Sequence, residues 1–238
     1  MADWFRFKGI NSTSIGVHVL TYPSTTLAEE RVEFVDVPGR SGRLAVTQGE
    51  DVFEDVTLEI ECYIKDIGAL NTISAWLRGG GELILGNSPG FSYRARAINQ
   101  IEIEKIVRGR TSRIFSAVFR CEPYRYQYPE QMFTYTSTGN IIHNPSTYAS
   151  EPVITVYGSG EVSLVVGAVV AVIKDVNGSI VLDSDAGLAY SPGSTTILRT
   201  ASVDIPGGHW PKLAPGDSAI TWSGSVSKVE VKPRWRWR

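Results

Sequence analysis

The sequence predicts a mainly β protein in which one amphipathic helix interrupts the strands of the N-terminal half. Apolar and polar residues alternate along most of the 238-residue chain, in segments bounded by Gly, Pro, Asn and Asp. One segment departs from this period of two and has helical spacing. The last ~90 residues show only short strand patterns at roughly ten-residue spacing. These observations predict an α+β domain followed by an antiparallel β-sandwich.

Alternating segments that predict strands occur throughout the chain. Examples are residues 31–37, 52–64, 82–85, 91–104, 113–121, 153–156, 162–166 and 226–231. A Gly-rich turn at Gly158–Gly160 is predicted to join the strands on either side of it. Further turns are predicted at Asn177–Gly178 and Pro215–Asp217, and the apolar run Val162–Ile173 is predicted to be sheet core.

The helical segment covers residues 66–78. Its apolar side chains recur at a spacing that places them on one helical face, namely Ile67, Leu70, Ile73 and Leu77. Asp66 is a suitable N-cap, and the consecutive glycines 79–81 predict the end of the helix. A helix of about three turns between strands is expected to cover one face of a sheet.

Prolines divide the chain into two predicted domains. Four of them fall in a stretch rich in Tyr, Thr, Ser and Asn, at Pro123, Pro129, Pro145 and Pro152. Because proline at this density suppresses regular strand pairing, we predict an N-terminal domain over residues 1–135 and a C-terminal domain over residues 136–238. The Pro-rich stretch itself fits either a linker or an arm that grips a neighbouring subunit.

Composition and charge narrow the classes of function. Hydrophobic residues make up 42% of the chain, and 23 basic against 25 acidic residues leave a formal net charge of −2. This balance argues against nucleic acid as the main partner and favours self-association. Because no signal peptide and no apolar run of ~18 residues is present, we expect synthesis in a cytoplasm and no membrane partner. Cys62 and Cys121 are expected to be reduced and buried on apolar strand faces.

The sequence offers no constellation typical of an enzyme, and we predict neither catalysis nor a metal or cofactor site. Its three histidines lack His or Cys neighbours at metal-ligand spacing. Nucleophile-elbow, phosphate-loop and dinucleotide motifs are absent. Asp183–Asp185 supplies too few oxygen ligands for a calcium loop and is predicted to be a polar turn. Acidic pairs are expected to be solvated beside strand ends, at Glu29–Glu30, Glu50–Asp51 and Glu54–Asp55.

Tryptophans support the main alternative, a carbohydrate-binding module. Sugar-binding sandwiches stack aromatic rings on sugars, and four of the six tryptophans lie in the second half of the chain. The galectin sugar-binding motif is nevertheless absent, because Trp210 and Trp222 are not followed by the required Glu. The Trp/Arg alternation in Lys232–Arg238 predicts a final strand with its tryptophans in the core and its arginines in water. A nucleic-acid hook is the competing interpretation of that segment.

The segment Val37–Leu44 is the strongest candidate for a functional surface. One proline fixes φ, two glycines permit positive φ, and two arginines project from a short connection between predicted strands. Guanidinium groups on a stiff turn suit contact with another subunit, because nothing in the segment can act as a nucleophile or base. The candidate subunit-interface residues are Pro38, Gly39, Arg40, Ser41, Gly42 and Arg43.

The order of several motifs along the chain is also informative. Residues 5–12 and 15–17 open the chain, and Val37–Leu44, a strand pair and the helix with its Gly stop follow. Residues 151–160, the segment Trp210–Gly216 and a closing strand complete the order. In this order the motifs span nearly the whole chain, and the chain resembles the distal tail protein (Dit) family of long-tailed bacteriophages.

This resemblance implies an N-terminal β domain with one helix that closes into a homohexameric ring, and a galectin-like C-terminal sandwich at the ring periphery. It also implies a non-enzymatic virion protein at the distal end of the tail. There it would join the tail tube and the tape-measure protein to the tail-tip, baseplate or receptor-binding proteins used in host attachment. After the carbohydrate-binding module, an accessory domain of a cell-wall hydrolase is the remaining alternative.

Overall fold

The computed structural model describes residues 2–49, 51–98 and 113–238, which form two compact units. The first comprises Met1–Tyr128 together with Arg238, and the second comprises Pro129–Trp237. Strands dominate both units, and the one α-helix among the described residues lies in the first. The predicted mainly β class with a single helix is therefore confirmed. Residues 99–104 of the predicted strand 91–104, and Glu50, lie outside the described residues.

Antiparallel strands build the first unit. They are β1 (Phe5–Phe7), β2 (Ile10–Asn11), β3 (Val17–Thr21), β4 (Val32–Val35), β5 (Leu44–Thr47), β6 (Val56–Ile64), β7 (Gly80–Leu85), β8 (Phe91–Ala97) and β9 (Arg113–Gln127), with a 3₁₀ helix at Ser12–Ile15. The main sheet has the order β2-β1-β7-β8-β9-β6-β3, and β4 and β5 form a separate two-stranded sheet. The main sheet curls, so that β3 at one end of the strand order approaches the start of β1 near the other end. The Val19 N–H in β3 donates to the carbonyl of Asp3, just before β1, over 2.7 Å.

The helical segment is shorter than predicted. A 3₁₀ turn covers Ile67–Ala69, and the helix α1 covers only Leu70–Trp76. Asp66, the predicted N-cap, instead holds the 3₁₀ turn, because its carboxylate accepts the Gly68 N–H over 2.8 Å. A glycine in the first turn weakens α-helical geometry, which accounts for the later start of α1.

Aromatic rings form the centre of the first core. Four of them lie with ring centroids 5.1 to 6.3 Å apart, in stacked and edge-to-face pairs: Phe5 and Phe7 of β1, Trp76 of α1 and Phe119 of β9. The Trp76 indole N–H also donates to the Phe7 carbonyl over 2.9 Å, which fixes α1 against the sheet. Both cysteines are buried, as the alternation of their strands predicted.

The second unit is one antiparallel sheet. Its strands are β10 (Phe133–Tyr135), β11 (Asn140–Asn144), β12 (Val153–Val166), β13 (Val169–Asp183), β14 (Leu188–Ser191), β15 (Ser194–Leu198), β16 (Val203–Asp204) and β17 (Gly216–Lys232), with a 3₁₀ helix at Thr200–Ser202. The short strand β18 (Arg236–Trp237), near the chain end, is not part of this sheet. The order is β10-β17-β12-β13-β14-β15, β11 pairs with another part of β17, and β16 pairs with β13.

Two long strands of this sheet run through positions where the sequence predicted turns. β12 and β13 continue without interruption, so the turns predicted at Gly158–Gly160 and Asn177–Gly178 are wrong. The glycines instead bend paired strands: Gly158 lies opposite Gly178, and the register shifts just beyond them. A side chain on Gly158 would collide with the backbone of Ser225 in β17, so the close approach of these strands requires glycine.

The bend lets the sheet enclose its own core. Residues from both sides of it belong to a single buried cluster, which includes Ile154, Val156, Val162, Leu164, Ile173, Ile180, Leu182, Val229 and Val231. The two halves of each long strand therefore act as opposite layers around one apolar core. The run Val162–Ile173 lies within these layers, as predicted.

The C-terminal segment does not follow the predicted alternation. Trp235 lies in the core, but Arg234 has a positive φ of 54° and its guanidinium contacts Asp183 over 2.7 and 3.1 Å. Arg236 is also buried, and it contacts Glu151 over 3.0 Å. The predicted solvated arginine face is wrong, because carboxylates of the second unit hold two of the arginines in ion pairs.

Phe119→Ala is expected to destabilise the first unit by about 4 kcal/mol, because loss of a fully buried ring leaves a cavity beside Phe5 and Phe7. Urea unfolding followed by circular dichroism measures the change. Ile98→Ala is the control, since this side chain is 51% exposed, and it should cost less than about 0.5 kcal/mol. Equal effects of the two substitutions would contradict the assigned core.

Asp183 couples the stability of the second unit to pH. Burial opposes ionisation of this carboxyl, but the hydrogen bonds and charge of Arg234 outweigh burial and lower its pKa below the ordinary value. The ion pair therefore adds stability above the ordinary carboxyl pKa of about 4, and this stability is lost as the pH falls through the lowered folded-state pKa. Asp183→Asn should reduce the free energy of unfolding by about 2 kcal/mol at neutral pH and by much less in strong acid.

Thermal or urea unfolding across the acid range measures this dependence. Asp175→Asn is the control, because its carboxylate is 79% exposed and lies 3.7 Å from Arg199. We expect the control to keep the pH profile of the native chain. An unchanged profile in Asp183→Asn would show that Asp183 contributes nothing to acid sensitivity.

Candidate functional site

The segment that contains the predicted interface residues forms an exposed β-ribbon. β4 and β5 pair antiparallel, with Val32 opposite Thr47 and Val35 opposite Leu44, and they share no sheet with other described strands. We call residues 32–47 the ribbon, and its connecting segment, residues 36–43, the tip. Every residue of the ribbon except Val32 is exposed.

Two glycines shape the tip. Gly39 and Gly42 have φ of 81° and 79°, a backbone conformation that other residues rarely adopt. The Arg40 N–H donates to the Val37 carbonyl over 3.1 Å and closes the first turn. Arg43 closes the tip from the other side, because its Nε donates to an Asp36 carboxylate oxygen over 3.1 Å. Both side chains of this ion pair are exposed, so it contributes little to stability.

The structure places all six predicted interface residues in the tip, where all are exposed: Pro38, Gly39, Arg40, Ser41, Gly42 and Arg43. Arg43 is partly engaged by Asp36, whereas Arg40 forms no ion pair with the described residues of the chain. The tip therefore presents one free guanidinium and one that lies beside a carboxylate. The role of these residues in a subunit interface stays a prediction.

Apolar side chains cover both faces of the ribbon. Phe34 lies opposite Ala45 on one face, and Val35 lies opposite Leu44 on the other, next to Val46. An isolated two-stranded ribbon is only marginally stable in water, and contiguous exposed apolar surface of this kind marks interaction sites. These apolar faces were not predicted from the sequence. The available signal was the absence of a polar face in 32–35 and 44–47, which is typical of strands covered on both sides.

The root of the ribbon is held firmly to the first unit. Arg31 donates two hydrogen bonds to the Glu54 carboxylate, over 2.8 and 3.2 Å, and this pairing lowers the pKa of Glu54. The Phe53 ring packs edge-to-face on Tyr124 of β9, whose hydroxyl donates to the Asp51 carbonyl over 2.7 Å. Glu54, predicted to be one of a solvated acidic pair, is about half exposed and also pairs with Arg31.

Two of the histidines and one acid of the predicted polar turn lie in ion pairs. The described residues contain no cluster of His, Cys, Asp or Glu that could hold a metal ion. His18 lies 2.9 Å from Asp3 and His143 lies 2.7 Å from Asp217, each as an isolated pair. Asp183 of the predicted polar turn is bound by Arg234.

Comparison with known proteins assigns the fold. No protein-family model matches the sequence, and no curated protein matches it. A solved structure does: the crystal structure of SPP1 Dit (gp 19.1), described as a paradigm of the hub adsorption apparatus in phages that infect Gram-positive bacteria. The two structures agree with a TM-score of 0.71 over 100% of both chains, at 12% sequence identity. The chain has the Dit fold.

The Dit fold extends over both units of the chain. At 12% sequence identity the comparison concerns the fold. The predicted resemblance to the Dit family is confirmed at the level of the fold. Within the described residues, no helix is both long and apolar enough to span a membrane.

The two thiols of the chain are expected to be unreactive. Burial raises the pKa of Cys62 and of Cys121 to about 12, so the reactive thiolate is scarce at neutral pH. Ellman's reagent should therefore label neither thiol in the native chain and both in urea. Ser41→Cys adds an exposed thiol at the tip and serves as the positive control. Rapid labelling of the native chain would contradict the assigned burial.

Proposed function

We propose that this protein is a virion structural protein of a long-tailed phage, a hub at the distal end of the tail. The full-length Dit fold carries this proposal. In that role the chain joins the tail tube and the tape-measure protein to the tail-tip or receptor-binding proteins. The role requires no chemistry, which is consistent with described histidines and carboxylates that lie in ion pairs.

We further propose that copies of the chain form a closed homohexameric ring through the first unit, with residues 1–135 as the ring-forming domain and residues 136–238 as a galectin-like peripheral domain. A cyclic ring needs a surface that projects and a different surface that receives it. The ribbon supplies the first, because its faces are apolar, its tip is basic and its root is anchored. The number six derives from the family resemblance.

The carbohydrate-binding alternative has less support. Trp235 is buried in the core of the second unit, and Trp210, Trp222 and Trp237 pack partly against that core. Sugar recognition by stacking needs an open aromatic face. These side chains are instead used in packing.

Native protein should form rings with a central channel and a mass of six chains, seen by light scattering and negative-stain microscopy. The double variant Arg40→Glu/Arg43→Glu should keep its fold and weaken ring assembly by at least about 30-fold, because it reverses the charge of the tip.

Lys174→Glu/Lys232→Glu is the matched control for that variant. It makes the same change in net charge at exposed positions of the second unit, and its assembly should match that of the native chain. A native chain that stays monomeric at high concentration and binds glycans on an array would overturn the proposed hub role.

A further inference from the structure

Two clefts open on the solvent side of the main sheet in the first unit, and their charges differ. The larger, of about 540 Å³, is lined by three arginines and three acids: Arg94, Arg96, Arg120, Asp55, Glu82 and Glu122. Ion pairs join Arg94 to Glu122 over 3.3 Å and Arg120 to Asp55 over 3.0 Å. Its charges are therefore balanced, and a basic partner would meet arginines there.

The smaller cleft, of about 420 Å³, carries an unbalanced negative charge, and we call it the acidic cleft. Its lining comprises residues of the segment Thr21–Thr26 together with Thr57, Glu59, Glu61 and Ser116. Both glutamates point to solvent, because the alternate residues of β6 face the core. Glu61 accepts the Thr21 hydroxyl over 2.8 Å, and neither glutamate forms an ion pair with the described residues.

Apolar side chains lie at both ends of the chain segment that lines the acidic cleft. Leu20 precedes this segment and Leu27 follows it, and both are more than half exposed. An acidic cleft whose lining segment has an exposed leucine at each end, which we call the leucine rims, is the complement of a surface that has a basic end and apolar sides. Among the described surfaces, the ribbon has that combination, with Arg40 and Arg43 at its tip and Phe34 on one face.

We propose that the acidic cleft of one subunit receives the tip of the neighbouring subunit's ribbon. This inference rests on the proposed ring, and it identifies the receiving surface as Glu59 and Glu61 between the leucine rims. Arg40 would pair with the glutamates, and the apolar sides of the ribbon would cover Leu20 and Leu27. Opposite charges across an interface select the partner and its register.

The reach of the ribbon also suits contact with a neighbour. The Arg31 N–H at the root donates to the Val52 carbonyl, and the four extended residues of β4 carry the tip ~13 Å beyond the root. Among the described residues, the tip forms one ion pair, that of Arg43 with Asp36. The arginines of the tip therefore do not pair with Glu59 or Glu61 of the same chain. A projecting tip and a separate receiving cleft are the two halves of a heterologous contact.

Charge reversal on both sides tests the pairing. Glu59→Lys/Glu61→Lys and Arg40→Glu/Arg43→Glu should each weaken assembly at least ~30-fold, measured by sedimentation velocity over a concentration series. The quadruple variant, with both reversals in one chain, should recover most of the native ring stability, because the charges are again complementary.

Glu82→Lys/Glu161→Lys is the matched control. Both positions are exposed, the change in net charge is the same, and Glu82 lines the balanced cleft. Because Glu61 is half-buried, Glu59→Lys alone is a second variant that leaves the Thr21 contact intact, and it should weaken assembly by about tenfold. Circular dichroism and thermal unfolding verify the fold of each variant.

Disulfide trapping gives an independent readout. Because both native cysteines are buried, Arg40→Cys with Glu59→Cys in one chain adds the only exposed thiols. Mild oxidation should give a ladder of linked chains that ends at the ring, and either single variant should give at most linked pairs.

The outcomes separate the two proposals. A native chain that forms no ring overturns the proposed function and this inference with it. A native ring that tolerates Glu59→Lys/Glu61→Lys as well as the control, or a quadruple variant that recovers nothing, overturns the assignment of the acidic cleft and leaves the hub role standing.

Discussion

A two-stranded ribbon cannot bury both of its own faces, and the proposed subunit interface depends on this limit. Each strand of the ribbon carries apolar side chains on both sides, and no other described strand pairs with either edge. Such a ribbon has too few contacts to hold its form against water. Exposed apolar faces of this kind are typical of a surface that another chain covers. In the proposed ring, a neighbouring subunit would cover them.

The rest of the first unit provides a stiff base for the ribbon. The rings of Phe5, Phe7, Trp76 and Phe119 pack in mutual contact beneath α1. At the root, the Phe53 ring packs against Tyr124 of β9, and Arg31 forms an ion pair with Glu54. These contacts connect the ribbon to the first unit. A firm root and an exposed tip suit the proposed assembly contact, because such a tip would meet a partner without loosening the subunit that carries it.

In the second unit, a glycine and two carboxylates have structural roles that the local sequence pattern does not predict. Gly158 permits two strands to approach and bend, so the sheet closes over one core. Asp183 and Glu151 draw Arg234 and Arg236 into ion pairs that fix the C-terminal segment. Buried ion pairs of this kind define position more than they add stability.

The sequence by itself determined the mainly β class, the burial of both cysteines, the position of the helix and the exposed tip at 38–43. All of these depend on periodicity or on backbone preferences of neighbouring residues, which are local properties. Tertiary structure decided whether a glycine makes a turn or a bend, because that depends on which strand lies opposite Gly158. It also decided that Arg234 and Arg236 leave the solvent, since their carboxylate partners lie far away in sequence. The acidic cleft also depends on tertiary structure, because the pairing of β3 with β6 places Thr21 opposite Glu61, forty residues later in the sequence.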